Sequence, residues 1–446
     1  MDWLLELNSS VNSIVWGPPM MVLLIGTGIF LTVATRGVQF RRFLFATRQV
    51  LGAGRKAGGE GTVSPFQALA TSLSATVGVS NIAGVSIAIA TGGPGAVLWM
   101  FLTGVVGMAT KFSEIVIALE YRRRDAAGIM RGGAMYVLAE KFRLPWLGAI
   151  FAGLCAMAAF GIGNMTQANT VAMGMQVSYG VPPWLTGLVL AGVTALVVLG
   201  GIKRIAEVAA VLVPVMFFIY VSCALYVAAT HWSDLAGTLE LIVRSAFTGQ
   251  AALGGFAGAT VRIAMQQGIA RGLFSNEAGL GSAPMVHAAA VTDHPVRQAS
   301  YGIFGVFVDT LVVCTLTATT VLSTGVWTSG RTGAELTSQA FLQGLPGAWG
   351  DQMVTISLAL FGFSTIMGWA FYGETGITYL FGIGSTRGYR IAWVVAVFVG
   401  AVGGLEPIWK ISDTLNALMA VPNLIAVLGS VALLRSRMRE FFSRHG

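Results

Sequence analysis

Thr76-Val77-Gly78-Val79-Ser80-Asn81-Ile82-Ala83-Gly84 lies inside an apolar stretch long enough to cross a bilayer, yet it carries two glycines, a serine and an asparagine. In hydrocarbon no water satisfies a freed backbone group. Irregular backbone therefore persists there only where protein buries it or where it lines a watery cavity. The alternative is a close-packing or kink motif, since glycine and serine also mark helix–helix contacts in membranes. A second copy tips the balance. Ser275-Asn276-Glu277-Ala278-Gly279-Leu280 repeats Ser80-Asn81-Ile82-Ala83-Gly84-Val85 almost residue for residue, 195 positions later. Paired interrupted apolar segments in corresponding parts of two halves point to a transporter's binding site.

The composition argues against a soluble protein: 55% of the 446 residues are hydrophobic, 10% are charged, and mean hydropathy is +0.75. The 58 glycines suit a membrane bundle, where small residues let helices approach closely. Cys155, Cys223 and Cys314 all fall in apolar segments and form neither a disulfide framework nor a metal-binding spacing. Met1 to Asn12 carries Asp2 and Glu6 rather than a basic leader, so no cleavable signal peptide is expected.

Eleven apolar segments are predicted as spans, most near the roughly 20 residues a bilayer needs. They cover 19–35, 64–91, 95–119, 146–173, 182–201, 207–229, 253–290, 298–323, 352–380, 390–405 and 413–434. The basic residues sort by side. Loop 36–63 holds Arg36, Arg41, Arg42, Arg48, Arg55 and Lys56, and loop 120–145 holds Arg122, Arg123, Arg124, Arg131, Lys141 and Arg143. Lys203, Arg204, Arg297, Arg387, Arg390 and four arginines of the tail share their parity. The alternate loops hold only Arg244, Arg331 and Lys410, a split of 21 against 3, with Lys111, Arg262 and Arg271 inside spans. The positive-inside rule then puts the N-terminus outside and the C-terminus in the cytoplasm. It also explains the net charge of +8 without nucleic acid.

That orientation makes the two five-helix blocks, 64–229 and 253–434, inverted copies. Residues 1–63 supply an extra N-terminal helix and residues 435–446 a basic tail. Residues 39–51 read as an interfacial amphipathic helix, with Phe40, Phe43, Leu44, Val50 and Leu51 among arginines. Residues 331–344 read as a short outer helix capping the bundle.

A broken helix offers carbonyls at the end of its first half and N–H groups at the start of its second. With the half-helix dipoles, the first attract a cation and the second an anion. The backbone from Val77 to Ser80 therefore suits a zwitterion beside an alkali cation. Asn81 adds an uncharged oxygen suited to sodium. Gln167, with Asn164, lies mid-span, where amides face a bundle interior; interhelical bonding is the plainer reading for Asn164. Thr365 and Trp369, four apart, share one helix face next to Ser364. They either bind a ligand or satisfy their own helix's carbonyls. Asp309 sits mid-span and expects a cation or a donor from the broken helices. Glu277 is expected to pair with Arg271 across the second break, in a structural or a gating role. Lys111 and Glu114, three apart, read as a structural ion pair.

An enzyme is not expected. His231, His287, His294 and His445 have no ligand or triad spacing, and no phosphate-cradling loop occurs, so an ion gradient must supply the energy.

Several of these stretches together resemble the alanine or glycine:cation symporter family. They are Gly78-Val79-Ser80-Asn81-Ile82-Ala83-Gly84, Gly92-Gly93-Pro94-Gly95-Ala96-Val97-Leu98-Trp99-Met100 and Lys111-Phe112-Ser113-Glu114. Arg271-Gly272-Leu273-Phe274-Ser275-Asn276-Glu277-Ala278-Gly279-Leu280-Gly281-Ser282-Ala283-Pro284 and Phe363-Ser364-Thr365 with Trp369 join them. The resemblance runs from about residue 15 to near the end. It implies an all-α integral membrane protein of 11 transmembrane helices: a leucine-transporter-type inverted repeat (5+5) with discontinuous core helices plus one extra N-terminal helix. It also implies sodium- or proton-driven uptake of alanine or glycine. By motif position, Gln167, Phe274, Thr365 and Trp369 would line the substrate pocket with the backbone at Val79 and Ser80. The carbonyl region at Val77, with Ser364 and Thr365, would hold sodium, and Asn81 and Asp309 a second cation.

The chain departs from the family pattern at the first break, where Gly78-Val79-Ser80-Asn81 stands in place of Gly-Thr-Gly-Asn. It departs again at Leu98-Trp99-Met100-Phe101 and at Gly132-Gly133-Ala134-Met135. Val79 removes a hydroxyl and Ser80 adds bulk beside the expected carboxylate site. The expected protein is thus a sodium-coupled importer of a small neutral amino acid in the cytoplasmic membrane. It needs no cofactor beyond the coupling ion and no obligatory protein partner. A proton-coupled permease for another small solute is the alternative, with Glu277 or Asp309 carrying the proton. An ion channel is a third reading, which no selectivity-filter repeat favours.

Overall fold

The computed structural model describes residues 2–52, 58–248, 260–347, 349–403 and 406–445. Among these, seven helices are long and apolar enough to span a bilayer, or eight if the bent pair Pro65–Thr76 and Ser80–Gly92 is one span. The remaining expected segments are helical but shorter: Pro183–Val198, Val261–Asn276 with Pro284–Ala288, and Thr386–Val402. The chain is thus all-helical in character, and strands among the described residues are confined to the pairing of Arg123–Arg124 with Met130–Arg131. The start of the expected segment 253–290, and Arg55 and Lys56 of the first basic loop, lie outside the described residues. One boundary moves: Lys203 and Arg204 occupy the first turn of the helix Gly201–Thr230 rather than a loop. Their long stems let the charged heads reach the interface from there.

Both expected interruptions occur, and each has a local cause. Pro65–Thr76 starts at a capping box in which Ser64 and Gln67 satisfy each other's backbone N–H. It stops at Val77, which is extended (φ −77°, ψ 90°), and the chain resumes as a π-helical turn, Ser80–Gly84, bent 52° from the first half. The second break is sharper. Glu277, Gly279 and Gly281 all have positive φ (54°, 96° and 78°), and no right-handed helix continues through such backbone. Pro284 then opens Pro284–Ala288, where its fixed φ and missing N–H are tolerated. Two more π-helical turns, Ala159–Met165 and Phe307–Cys314, interrupt neighbouring helices, a feature that often marks functional positions.

The 32-residue helix Gly350–Phe381 packs directly on Pro65–Thr76. Gly368 permits this, because a Cβ there would lie 2.7 Å from the backbone nitrogen of Ala75. Ser364 and Thr365 thereby reach the first break. The basic loops gather at one end of the bundle. Arg122 donates to the carbonyls of Ala288, Ala290 and Glu60 (3.1, 2.7 and 2.8 Å). Arg131 and Arg390 converge on the buried Glu374 (2.9 and 2.7 Å), and Arg437 pairs with Glu120. At the other end Asn12 bonds Asp413 and Thr414 (3.0 and 2.9 Å), and Ser178 meets Thr355 (2.7 Å).

The two textured loops are both helical. The stretch 39–51 divides into Val38–Arg41 and Phe43–Leu51; Phe43 packs edge-on against Phe307 and Val50 is buried, while Phe40, Leu44 and Leu51 are exposed. The outer helix Gly333–Gly344 buries Leu336 and Phe341. Its Thr337 hydroxyl donates to the Ile82 carbonyl (2.9 Å), so it leans on the first break.

Candidate functional site

A broken helix in a buried setting must satisfy its freed backbone groups, and the Asn81 side chain does much of that. Its Oδ1 accepts from the Gly78 N–H (2.9 Å). Its Nδ2 faces Ser275 Oγ (3.0 Å) and Asp309 Oδ1 (2.8 Å). Asp309 Oδ2 accepts in turn from Ser275 and Thr310 (2.8 Å each). The first break, the end of the helix before the second, and the π-helical turn Phe307–Cys314 are thus tied into one buried network. Asn81 and Asp309 meet here as expected partners, but their oxygens already accept from protein donors. That arrangement is a lock between elements.

A small closed cavity opens on the other side of the first break. Thr76, Gly78, Ser80, Gln167, Phe274, Glu277, Thr365 and Trp369 line it together with Ala75, Ile162 and Asn416. Its cavity volume of about 20 Å³ is far below the roughly 300–1,000 Å³ of ligand pockets, so this conformation is nearly filled by its own side chains and must widen to admit a ligand. Five of the six residues expected to contact substrate are in this wall. Val79 is the exception: its side chain packs against the apolar cluster around Phe361 and Leu358. A residue in the turn between Gly78 and Ser80 points its Cβ away from its neighbours', and sequence position alone does not show which one faces the cavity.

Two buried acceptors converge on the break without a partner. Gln167 donates its amide N–H to the Ile162 carbonyl (2.9 Å) inside the π-helical turn Ala159–Met165. That bond orients the amide and leaves Oε1 free of any donor; Thr365 Oγ1 is also unpaired. Both face Gly78, where an added Cβ would lie 2.5 Å from Thr365 Oγ1 and 3.8 Å from Gln167 Oε1. Ser364 Oγ lies 3.5 Å from the Val77 carbonyl and 2.9 Å from that of Phe361. Uncharged oxygens of this kind suit an alkali cation. Trp369 stands edge-on to Tyr372 (5.4 Å between centroids), and Gly163 leaves room for its indole.

The ion pairs expected from sequence do not form among the described residues. Glu114 does not pair with Lys111; it accepts from the Gly279 N–H (2.9 Å) and from Asn423 Nδ2 (2.5 Å), capping the second break. Lys111 Nζ has no hydrogen-bond partner and faces a small void shared with Asn276, His287 and Asp309. Glu277 does not pair with Arg271; it accepts from Ser282 Oγ (2.5 Å) and lines the cavity at the first break. Arg271 Nε is buried without a partner. In each case a freed group at the broken helix, or a hydroxyl beyond it, outcompetes the neighbour on the same helix. Asn164 is a simple interhelical tie, donating to the Trp393 carbonyl (2.9 Å). The sequence reading did not place Glu277 or Asn416 at the cavity. Glu277 had a signal, since it replaces Ile82 within the repeated motif. Asn416 had none. No group of three or more His, Cys, Asp or Glu side chains suited to a metal ion occurs among the described residues.

Comparison with known proteins places this geometry. The model of the sodium:alanine symporter family matches residues 1–445. "Sodium/alanine symporter AgcS" of Methanococcus maripaludis is 45% identical, covering 98% of this chain and 97% of that protein. An "Uncharacterized transporter" of Haemophilus influenzae is 42% identical over 98% of this chain and 96% of its own length. "Probable sodium/glutamine symporter GlnT" of Bacillus subtilis is 38% identical over 93% and 86%. Among solved structures, a manganese transporter of Eremococcus coleocola superposes with a TM-score of 0.50 at 12% identity, over 82% of this chain and 78% of that one. That last likeness concerns the fold alone.

Proposed function

Since the chain belongs to the sodium:alanine symporter family, we propose that it imports a small neutral amino acid, alanine or glycine, coupled to sodium by alternating access. One observation carries the reading: Gln167 Oε1 and Thr365 Oγ1 are buried acceptors, unpaired among the described residues, that face Gly78 at a small cavity. A buried acceptor without a donor is costly, and the ammonium of an amino acid supplies three donors at that point. The second half of the broken helix begins at Ser80. The Asn81 N–H donates to the Gly78 carbonyl (3.1 Å), and the N–H groups of Val79 and Ser80 are left to suit the carboxylate. Phe274 and Trp369 close over the side chain, and the smallness of the cavity favours alanine or glycine. Sodium is held by the Val77 carbonyl with Ser364 and Thr365.

In this account the chain crosses the cytoplasmic membrane eleven times, N-terminus outside and C-terminus inside. Residues 64–229 and 253–434 form an inverted pair of five-helix blocks, preceded by residues 1–63 and followed by the tail 435–446. Support comes from the helix under each of the eleven apolar segments and from the gathering of the basic loops at one end. The Asn81–Ser275–Asp309 network makes the two broken helices move together, so the cavity opens to one side and then the other. Glu277 in the cavity wall supports a second reading, coupling to protons.

Thermal unfolding of the purified protein with an amino-acid panel, with and without sodium, tests the proposal. A ligand that binds the folded state raises its stability by mass action, and coupled ligands reinforce each other. Alanine or glycine is expected to stabilise far more in sodium than in choline at fixed pH. Equal shifts in both salts, with stabilisation growing as pH falls, would favour the proton-coupled reading.

A further inference from the structure

We propose that the cleft where the N-terminal span, the helix pair 38–51 and the C-terminal helix Val431–His445 meet is a binding site for the phosphate-bearing headgroup of an anionic phospholipid. Arg36, Arg41, Arg42, Arg435 and Arg439 line this cleft, and among the described residues no carboxylate does. Elsewhere at this end of the bundle, several arginines are neutralised: Arg131 and Arg390 share Glu374, Arg437 holds Glu120 and Glu440, and Arg297 pairs with Asp293. Within the cleft, the visible contacts leave guanidinium groups unneutralised. Arg435 Nε donates to the Ala34 carbonyl (3.0 Å), Arg439 Nε to the Arg435 carbonyl (3.4 Å), and Arg42 lies 4.1 Å from the centre of the Phe442 ring. Five like charges held together repel one another unless an anion joins them.

The position of the cleft selects the kind of anion. The N-terminal span Glu6–Ala34 ends at the cleft wall, which puts Arg36 at headgroup depth. The next two helices leave Phe40 and Leu44 64% and 70% exposed, beside the same cleft. Exposed aromatic and aliphatic side chains next to arginines fit a surface of acyl chains under phosphates. Basic pockets between helices at a membrane face bind such headgroups, and guanidinium forks bond phosphate oxygens in pairs. Phe40 and Leu44 put the arginines against the bilayer surface, where lipid phosphates are far more concentrated than free phosphate. The site therefore takes lipid, whichever solute the protein carries.

The test compares the full-length protein with its Arg36→Gln/Arg41→Gln/Arg439→Gln variant, which leaves the Arg435–Ala34 and Arg42–Phe442 contacts in place. Binding of phosphatidylglycerol and of phosphatidylcholine is read by native mass spectrometry from detergent. Melting temperature in lipid-free detergent serves as the folding control, and a single Arg439→Gln variant serves as a milder substitution. The wild type is expected to retain phosphatidylglycerol in preference to phosphatidylcholine. The triple variant is expected to lose that preference by on the order of 100-fold, each arginine near an anionic surface contributing roughly fivefold. The single variant should fall between, and inorganic phosphate should not displace the lipid. Unchanged phosphatidylglycerol retention in both variants, or its displacement by millimolar inorganic phosphate, overturns the proposal.

Discussion

Ser80 lines the cavity while the Val79 side chain packs into the apolar cluster near Phe361, so under the proposed function only Ser80 is placed to act on selectivity. The sequence reading gave both residues a part in substrate choice; the structure separates them. Ser80→Thr adds a methyl group to the cavity wall and is expected to shift preference from alanine toward glycine by about tenfold or more, the usual scale for one methylene in a tight pocket. Val79→Thr should leave the ratio of the two uptake rates unchanged. Competition uptake with both labelled substrates reads the difference directly. At Gln167 and Trp369 the expectation is harsher, because one supplies an unpaired acceptor and the other closes the cavity. Gln167→Ala and Trp369→Ala should each abolish uptake with normal expression and membrane insertion. Wild-type transport by either would mean the cavity is misassigned. These positions were legible in the sequence because amides, hydroxyls and an indole stand out against an apolar span. The partners of Lys111, Glu114 and Glu277 were not legible. Same-helix spacing suggests neighbours but carries no information about N–H groups freed by a break elsewhere in the chain.

The element scale turns on the two broken helices. The breaks themselves were readable, since glycine, serine and asparagine recur in both copies and helices rarely spend such residues in lipid. How the breaks are held together was not readable, because it depends on contacts 194 and 228 residues apart, from Asn81 to Ser275 and to Asp309. The π-helical form of Ser80–Gly84, and the π-helical turns Ala159–Met165 and Phe307–Cys314, also escaped the sequence, since no residue pattern distinguishes such a turn from an α-helical one. Asn81 is the joint. Asn81→Ala leaves the Gly78 N–H without its acceptor and Asp309 Oδ1 without its donor in a buried site, at a cost of roughly 1–3 kcal/mol for each unsatisfied group. The expected result is a clear fall in melting temperature together with loss of uptake. Loss of uptake with an unchanged melting temperature would instead assign Asn81 a direct role in ion binding.

Over the whole molecule, the sequence showed most of the architecture because two signals accumulate along its length. Apolar runs mark helices, and the 21-to-3 sorting of basic residues marks the loops that the proposed orientation puts in the cytoplasm. The structure returns a helix for each run and collects the basic loops at one end, where Arg122, Arg131, Arg390 and Arg437 stitch distant segments together. Hydropathy counts fewer full spans than eleven because the second broken segment and two flanking helices are short. Such helices are stable in a membrane only within a bundle whose neighbours satisfy their ends. Under the proposed function, the small cavity at the helix break, with its unpaired acceptors and the oxygens beside it, carries a zwitterion with a cation. Uptake of labelled alanine or glycine into proteoliposomes under an imposed inward sodium gradient measures this most directly. The account predicts accumulation above the external concentration, abolished when choline replaces sodium or when the gradient is collapsed. Uptake that is indifferent to sodium, or no uptake of any small amino acid, would contradict it.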